Sequence, residues 1–600
     1  MSPGRGGAPA AFALALALAL AAVAASRLIA QDTTVAATGA DSISAAARER
    51  DARAIPLPVT ETPAGPLAPG SRIVFTRDSL LWTRGYTVAD LLGEVPGVYV
   101  ARSGFIGQPA PVMYAGRGIT ALEILWDGVP MVPIGPDSVA VDPGRISLFP
   151  FERIEVEVLP GRLRVYLVSE RHEAISTRSL VRVVSGDFNT GAYAGLFQKR
   201  WANGVGINLA ADFFGSEGAQ DPRRDATWFD LWGKAEWAPT ASTAATFEVR
   251  RQTYTRDSTG VEDLLVPERR GRRTDAIVRL TSAQRGGRHG FWTHAGLVTT
   301  RWSPDSLSPD SLVDARTYRR VFLGFGYTDR RANAEITGRL GDHFTRNGFD
   351  ARAGWTPLTF LSLAADWMWE RHAGGGTSRR AHAMVSLYRG PFSLAGEVAD
   401  DAAVAAPILT TDSTQRTNDR AVRAGVSSRR VAGHLSLVDR ARFAPLRFTE
   451  FPAIADLGAT PRARWIVADL TLRAGPWALR GWYSHPTGGT LVDFQPPNHA
   501  RAEITLRSKF FRTFRSGAFE FKFQFAMESW STGLAGRDAN GAPIPLVGAT
   551  FYDGFLQLEI ARFRLFYGMA NLYRSREHFV PGHEVPRTAQ TFGVRWTFEN

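Results

Sequence analysis

Over the last two-thirds of the chain, apolar side chains take alternate positions with polar or small ones. Val205, Ile207, Leu209, Ala211 and Phe213 alternate with Gly206, Asn208, Ala210 and Asp212. Leu361, Leu363, Ala365, Trp367 and Trp369 share one face, with Ser362, Ala364, Asp366 and Glu370 on the other. Phe519, Phe521, Phe523, Phe525 and Met527 stand against Glu520, Lys522, Gln524 and Glu528. A period of two predicts strands with one greasy and one wettable face. Runs of about 10–13 residues cross a bilayer core when tilted, and exceed the roughly 5–6 residues usual in soluble sheets. Short connections near 201–204, 239–242, 286–290, 328–330, 389–391 and 474–476 are separated by longer polar ones. The longer ones cover 215–225, 255–272, 303–316, 401–416, 441–461, 486–497, 529–545 and 575–587. The last run sets Phe592, Val594, Trp596 and Phe598 against Gly593, Arg595 and Thr597, with Glu599 and Asn600 beyond. The pattern predicts an all-β membrane barrel of about 22 antiparallel strands from near Leu180 to Phe598. A soluble β-sandwich or propeller also alternates and is the competing reading.

The N-terminal part has other rhythms. Arg5 precedes an unbroken apolar run from Ala8 to Ala25, and Ala22, Ala24, Ala25 and Ser26 suit a signal peptidase, so 1–30 is read as a signal peptide. No later stretch has the roughly 18 consecutive apolar residues of a membrane helix. Residues 31–70 have no period; Pro56, Pro58, Pro63, Pro66 and Pro69 mark a flexible linker that can reach far but cannot pack.

A compact α+β unit is expected over 71–178, with the barrel over 179–600. Thr87 and Asp90 suit a helix start, Val88, Leu91 and Leu92 give its apolar stripe, and Pro96-Gly97 ends it. Strand-like runs follow at Val98–Val100, Val112–Ala115, Glu123–Trp126 and Ile154–Leu159, with turns at Asp127-Gly128 and Pro160-Gly161.

Composition narrows the chemistry. The 600 residues include 44% hydrophobic positions, too many for a disordered chain. They include no cysteine, which excludes a disulfide scaffold and any thiolate site. The net charge of +12 is carried by arginines without runs, so no nucleic-acid partner is expected. No G-x-S-x-G, H-E-x-x-H or phosphate-loop signature is present, and neither an enzyme nor a cofactor is expected. Asp305 and Asp310 of the tandem SPDSLSPDSL lack the ligand density of a calcium loop and read as solvated loop. Lumen-face candidates are Glu248, Arg250, Glu335, Glu397, Glu503, Glu520 and Glu559.

Four fragments stand in order at natural spacing: TVADLLGEVPGVYV (87–100), AGRG (115–118), ILWDGVPM (124–131) and FERIEVEVLPG (151–161). Together they resemble the plug domain of TonB-dependent outer-membrane receptors, whose motif positions are here Asp90, Pro96, Gly97, Gly118, Asp127, Gly128, Glu152, Glu155 and Gly161. The resemblance implies a plug filling the barrel lumen, with Arg117 and Arg153 as plug-side partners of barrel glutamates; the alternative is that these arginines form local salt bridges inside the plug. Asp127-Gly128 reads as a hairpin turn and not as a ligand.

The resemblance also implies surface binding and active import of a scarce nutrient, small-molecule or oligomeric, by a monomer in the outer membrane of a Gram-negative-type bacterium. The partners it implies are outer-membrane lipid, the barrel-assembly machinery and a TonB-type inner-membrane protein. That protein would capture a segment near the mature N-terminus by strand addition. Asp32, Thr33 and Val35 of DTTVAAT match the family's coupling box, although Ala36 replaces a bulky apolar residue. The apical loop Ser103, Gly104, Phe105 to Gln108 is the substrate-facing candidate. One departure stands out: Tyr166 is followed by Leu167, and 167–179 lacks the family's glycines. An uncoupled channel or surface-binding barrel with a vestigial plug is therefore the alternative.

Overall fold

The computed structural model describes residues 57–58, 65–134, 139–218, 225–257, 268–284, 289–304, 316–408, 414–448, 450–451, 453–488, 491–583 and 585–599. The expected signal peptide, the coupling-box residues Asp32, Thr33 and Val35, and Asp305 and Asp310 lie outside them.

The N-terminal unit is small and mixed. It comprises β1 (Arg72–Phe75), α1 (Arg77–Leu81), α2 (Val88–Leu92), β2 (Val98–Val100), β3 (Val112–Tyr114), β4 (Leu122–Trp126), β5 (Val129–Pro130), β6 (Phe151–Val158) and β7 (Leu163–Ser169). Five strands form one sheet in the order β1-β6-β7-β4-β5, in which only the β4–β7 pair is parallel; β2 and β3 pair separately. Helix α2 begins where the sequence places it. The Asp90 carboxylate accepts from the amides of Tyr86 and Thr87 at 2.9 and 3.0 Å, satisfying donors at the helix start. Gly97 follows at φ +77°, a conformation that disfavours any residue with a Cβ.

The remaining strands close into a 22-stranded antiparallel barrel. Its first strand is Arg178–Gly186 and its last, Ala589–Glu599, pairs back onto the first with Phe592 opposite Ser185 and Phe598 opposite Ser179. Closure removes both sheet edges, which a bilayer would not tolerate. Each strand pairs with its sequence neighbour, except that a hairpin, Gly533–Arg537 with Pro543–Leu546, is excluded into a loop between Phe519–Trp530 and Ala549–Ile560. The apolar rows of the sequence point outward: Leu209 is 49% exposed and Phe592 54%. Their alternates Asn208 and Asp212 are buried in the lumen. A soluble sandwich, which would turn its greasy rows inward, is ruled out. Trp201, Trp237, Phe291, Trp355, Phe392 and Trp477 stand exposed near one end of the strands, as a membrane-interface girdle requires.

That end carries the shorter connections and is called the turn end; the opposite one is the loop end. Length is not a strict guide. Residues 187–189, 342–344 and 373–376 connect strands at the loop end in a few residues, while 509–518 is long and lies at the turn end. The linker expectation also needs correction. Leu57 and Pro58 are buried, with Leu57 against Ala238 and Ala244 of the wall, and Ala68 packs with Met384 and Ala395. A proline-rich chain cannot join a sheet ladder, but its apolar side chains still find a surface to cover.

Candidate functional site

The site is the boundary between the N-terminal unit and the barrel wall, and its two flanks differ. On the first flank the unit's core, including Val88, Leu92, Val98, Ile154, Val156 and Leu167, runs directly into the wall residues Leu180, Leu196, Ala210, Trp232, Ile277, Val298 and Phe322. These come from seven of the first eight barrel strands. The remaining one, Thr243–Arg256, supplies Glu248. One Glu248 oxygen accepts from the indoles of Trp126 at 2.7 Å and Trp232 at 2.6 Å, tying plug to wall through a fully buried carboxylate. Trp126 also packs on Phe151 at 4.7 Å, with the Arg250 guanidinium 4.9 Å from its ring centroid.

The Asp127-Gly128 turn does two jobs. Both residues have positive φ, 45° and 78°, as a tight hairpin demands. The buried Asp127 carboxylate also accepts from the Ser169 amide at 2.8 Å and hydroxyl at 2.5 Å, and meets Lys234 of the wall at 3.4 Å. The turn therefore pins the end of β7 and the barrel together.

Around the rest of the lumen the contacts are polar. Arg117 bonds to Asp419 and donates to the Thr417 hydroxyl at 3.0 Å, while stacking over Phe443 at 4.8 Å. Arg162 and Arg164 reach Asp366 at 3.4 and 3.6 Å, Arg352 reaches Glu157 at 3.5 Å and Arg507 reaches Asp78 at 2.6 Å. Wall cations also cap plug carbonyls: Arg423 on Val158 at 2.8 Å, Lys522 on Trp82 at 2.7 Å, Arg320 on Pro130 at 2.7 Å, and Arg440 on Ala115.

Pairing of a plug arginine with a barrel-unit glutamate does occur, between Arg145 and Glu450 of a loop-end connection, but the residues expected to make it need correction. Arg117 spans the boundary, but to an aspartate. Arg153 pairs with Glu155 inside the plug at 3.1 Å. Glu397 holds the wall residues Arg423 and His382, Glu520 holds Arg507 at 2.6 Å, and Glu559 holds Arg564, so all three act behind a wall cation. Glu335 lies 3.9 Å from wall Arg352, and Glu503 accepts from Thr505 at 3.0 Å. The wall is arginine-rich, so most of the charge crossing the boundary comes from the barrel. Glu152 binds Arg171 at the plug's end, and Gly161 lies tight against Asp419 and Arg117. Gly118, at φ +60°, opens the short helix after Arg117.

Between the unit and the second flank lies a cavity of about 220 Å³. Its plug side is formed by 83–87, Asp90, Glu94, Arg102 and the loop carrying Gly104, Phe105 and Gln108; its wall side includes Arg182, Asp553, Phe555, Arg564, Phe566, Thr591 and Arg595. Ser103 does not line it: its amide and hydroxyl both donate to Pro109 O at 3.0 Å and close the loop. Phe105 meets Phe188 of the first loop-end connection edge-on at 5.3 Å. Arg84 bridges the cavity to Asp553 at 2.5 Å. Above it, Phe448, Phe451, Phe494, Phe551 and Phe579 from loop-end segments pack with Tyr99 and Met113 into an apolar lid. The Tyr99 hydroxyl donates to Phe579 O at 2.7 Å. At the other end of the plug, Glu170 takes an ion pair from Arg77 at 2.7 Å. Burial pushes its carboxyl up to about 7 despite the arginine. Among the described residues no His, Cys, Asp and Glu group is arranged to hold a metal.

A family model for the TonB-dependent receptor plug domain matches residues 67–161. No curated protein matches the chain. Among solved structures, the siderophore receptor PirA of Acinetobacter baumannii is similar with a TM-score of 0.66 at 11% identity, over 88% of this chain and 98% of that one. A variant of the ferric enterobactin receptor PfeA of Pseudomonas aeruginosa gives 0.67 at 12%, over 88% and 98%. The copper transporter OprC gives 0.66 at 12%, over 90% and 100%. With a matching plug domain seated inside a closed 22-stranded barrel, the chain has the fold of TonB-dependent outer-membrane receptors.

Proposed function

We propose that this protein binds a scarce nutrient at the loop end and imports it across the outer membrane, drawing work from a TonB-type inner-membrane partner. The observation that carries the proposal is the uneven seating of the plug. One flank is continuous with the wall through buried apolar side chains; on the other, ion pairs, capped carbonyls and a cavity lie beneath the apolar lid. Polar contacts can be exchanged with water at small net free energy, whereas separating a buried apolar boundary costs about 25 cal/mol per Å² exposed. A pull on the plug therefore opens the cavity flank first, giving a path along Thr591, Arg595 and Asp553. Gly104, Phe105 and Gln108 are the plug residues proposed to meet cargo.

Leu57 sits against the wall at the turn end, which supports that end as the place where a partner engages the upstream chain. Asp32, Thr33 and Val35 are the proposed strand-adding segment. The names of the structural neighbours put metal supply first among the nutrients to test. A strain lacking the protein should grow poorly when iron or copper is withheld. The full chain should rescue it, and a chain deleted for 31–38 should not. Equal rescue by both chains would favour the uncoupled barrel, a reading that the glycine-free junction at 167–179 keeps in play.

A further inference from the structure

The connection 509–518 is unlike its neighbours at the turn end. It reads Lys509, Phe510, Phe511, Arg512, Thr513, Phe514, Arg515, Ser516, Gly517, Ala518, with no acidic residue. The amides of Thr513 and Phe514 both donate to Phe510 O at 2.9 Å. That single helical turn sets Phe510 and Phe514 on one side, while Arg512 and Arg515, three apart, share another. Phe514 rests on Phe519 at 4.4 Å, and Phe510 on Phe519 and Phe521 at 6.1 and 6.0 Å. Phe519 and Phe521 begin the outward row that continues through the exposed Phe523 and Phe525. The loop thus lengthens the lipid-facing surface past the end of the strand.

Phe510, Phe511 and Phe514 remain 43%, 59% and 43% exposed. Lys509, Arg512 and Arg515 are exposed and have no carboxylate partner among the described residues. Nearby Arg507, by contrast, is held by Asp78 and Glu520. Two hairpins along the same end, Arg429 and Arg430 are likewise exposed. Rings continuous with the lipid belt, flanked by unpaired cations, fit the boundary between acyl chains and phosphates. A water-soluble acidic protein would match the cations but not rings placed at bilayer level.

We propose that 509–518, with Arg429 and Arg430 two hairpins away at the same end, binds the anionic phosphodiester headgroups of the phospholipid leaflet at the turn end. The chain has no cysteine, so Thr513→Cys in the full-length protein takes a single environment-sensitive label. In phosphatidylcholine vesicles containing phosphatidylglycerol, the label should be shielded from aqueous iodide and quenched by headgroup-nitroxide lipid, more than in phosphatidylcholine alone. Native mass spectrometry should show phosphatidylglycerol retained over phosphatidylcholine by about threefold or more, given the attraction of each cation to an anionic surface. Replacing Lys509, Arg512 and Arg515 together by Gln should abolish that preference while the barrel keeps its heat-modifiable migration. If that variant does not insert, the label on the native loop still reads the contact. Equal iodide access in both vesicles, an unchanged preference in the triple variant, or equal shielding by soluble polyglutamate in phosphatidylcholine would overturn the proposal.

Discussion

The two flanks of the plug meet the same barrel with different proportions of apolar and polar contact. Against strands 178–328 the boundary is a domain core cut by the wall, with Trp126, Ile154 and Leu167 on one side and Trp232, Ile277 and Val298 on the other. Against strands 499–599 it is a cavity spanned by Arg84 and Asp553, with wall cations on plug carbonyls and apolar contact confined to the lid where Tyr99 meets Trp530 and Phe551. Apolar contact is non-directional and lost as a block; polar contact breaks one bond at a time with water ready to substitute. A barrel that only needed plugging would gain by apolar packing all round. The difference shows which flank is anchored and which is free to yield.

The anchor should break most visibly at Trp126. Trp126→Ala removes a buried ring and strands Glu248, and should lower plug stability by about 3–5 kcal/mol, read by calorimetry as a separate plug transition. Glu248→Gln keeps one acceptor oxygen for the two indoles but sets an amide donor beside them. It should cost about 1–2 kcal/mol in the same assay. On the yielding flank, Asp553→Asn should cost less than about 1 kcal/mol, because both partners of the Arg84 pair keep some solvent contact. Its effect should appear in nutrient uptake instead. A comparable stability loss on both flanks would remove the distinction.

The smallest effect concerns pH. The Glu170 carboxyl is raised from its ordinary value to about 7 by burial, so its protonated form is favoured in the folded state. The stability it contributes is complete below its ordinary range and is lost as pH rises through 7. The plug transition should therefore fall between about pH 4.5 and 7 and level off above, and Glu170→Gln should flatten that slope.

The barrel was legible because lipid forces the period-two pattern on each strand, as in Phe519–Met527 and Phe592–Phe598. The start of α2 was legible because Thr87 and Asp90 act within one turn. The boundary contacts were not. Arg117 and Asp419 lie 302 positions apart, Trp126 and Glu248 lie 122 apart, and no local pattern pairs such residues. The lumen face of the wall was readable as polar, but whether Glu397 meets the plug or a neighbouring Arg423 depends on side-chain reach. Connection length misled where 342–344 is short at the loop end, since a loop's length follows its function and not its side of the membrane. His172, in the connection between β7 and the first barrel strand, is buried under the junction, with its carbonyl bound by Arg200 at 2.7 Å, a contact no local pattern shows.

The uneven seating is tested most directly by single cysteines in this cysteine-free chain, placed at Thr591 on the cavity wall and Ile277 on the anchored wall. Each variant would be treated with a membrane-impermeant maleimide in cells, with the inner-membrane partner present or deleted. Thr591→Cys should react, several-fold faster when the partner is present, while Ile277→Cys stays protected in both. Equal acceleration at the two positions, or no response to the partner at Thr591→Cys, would contradict a plug that yields along one flank.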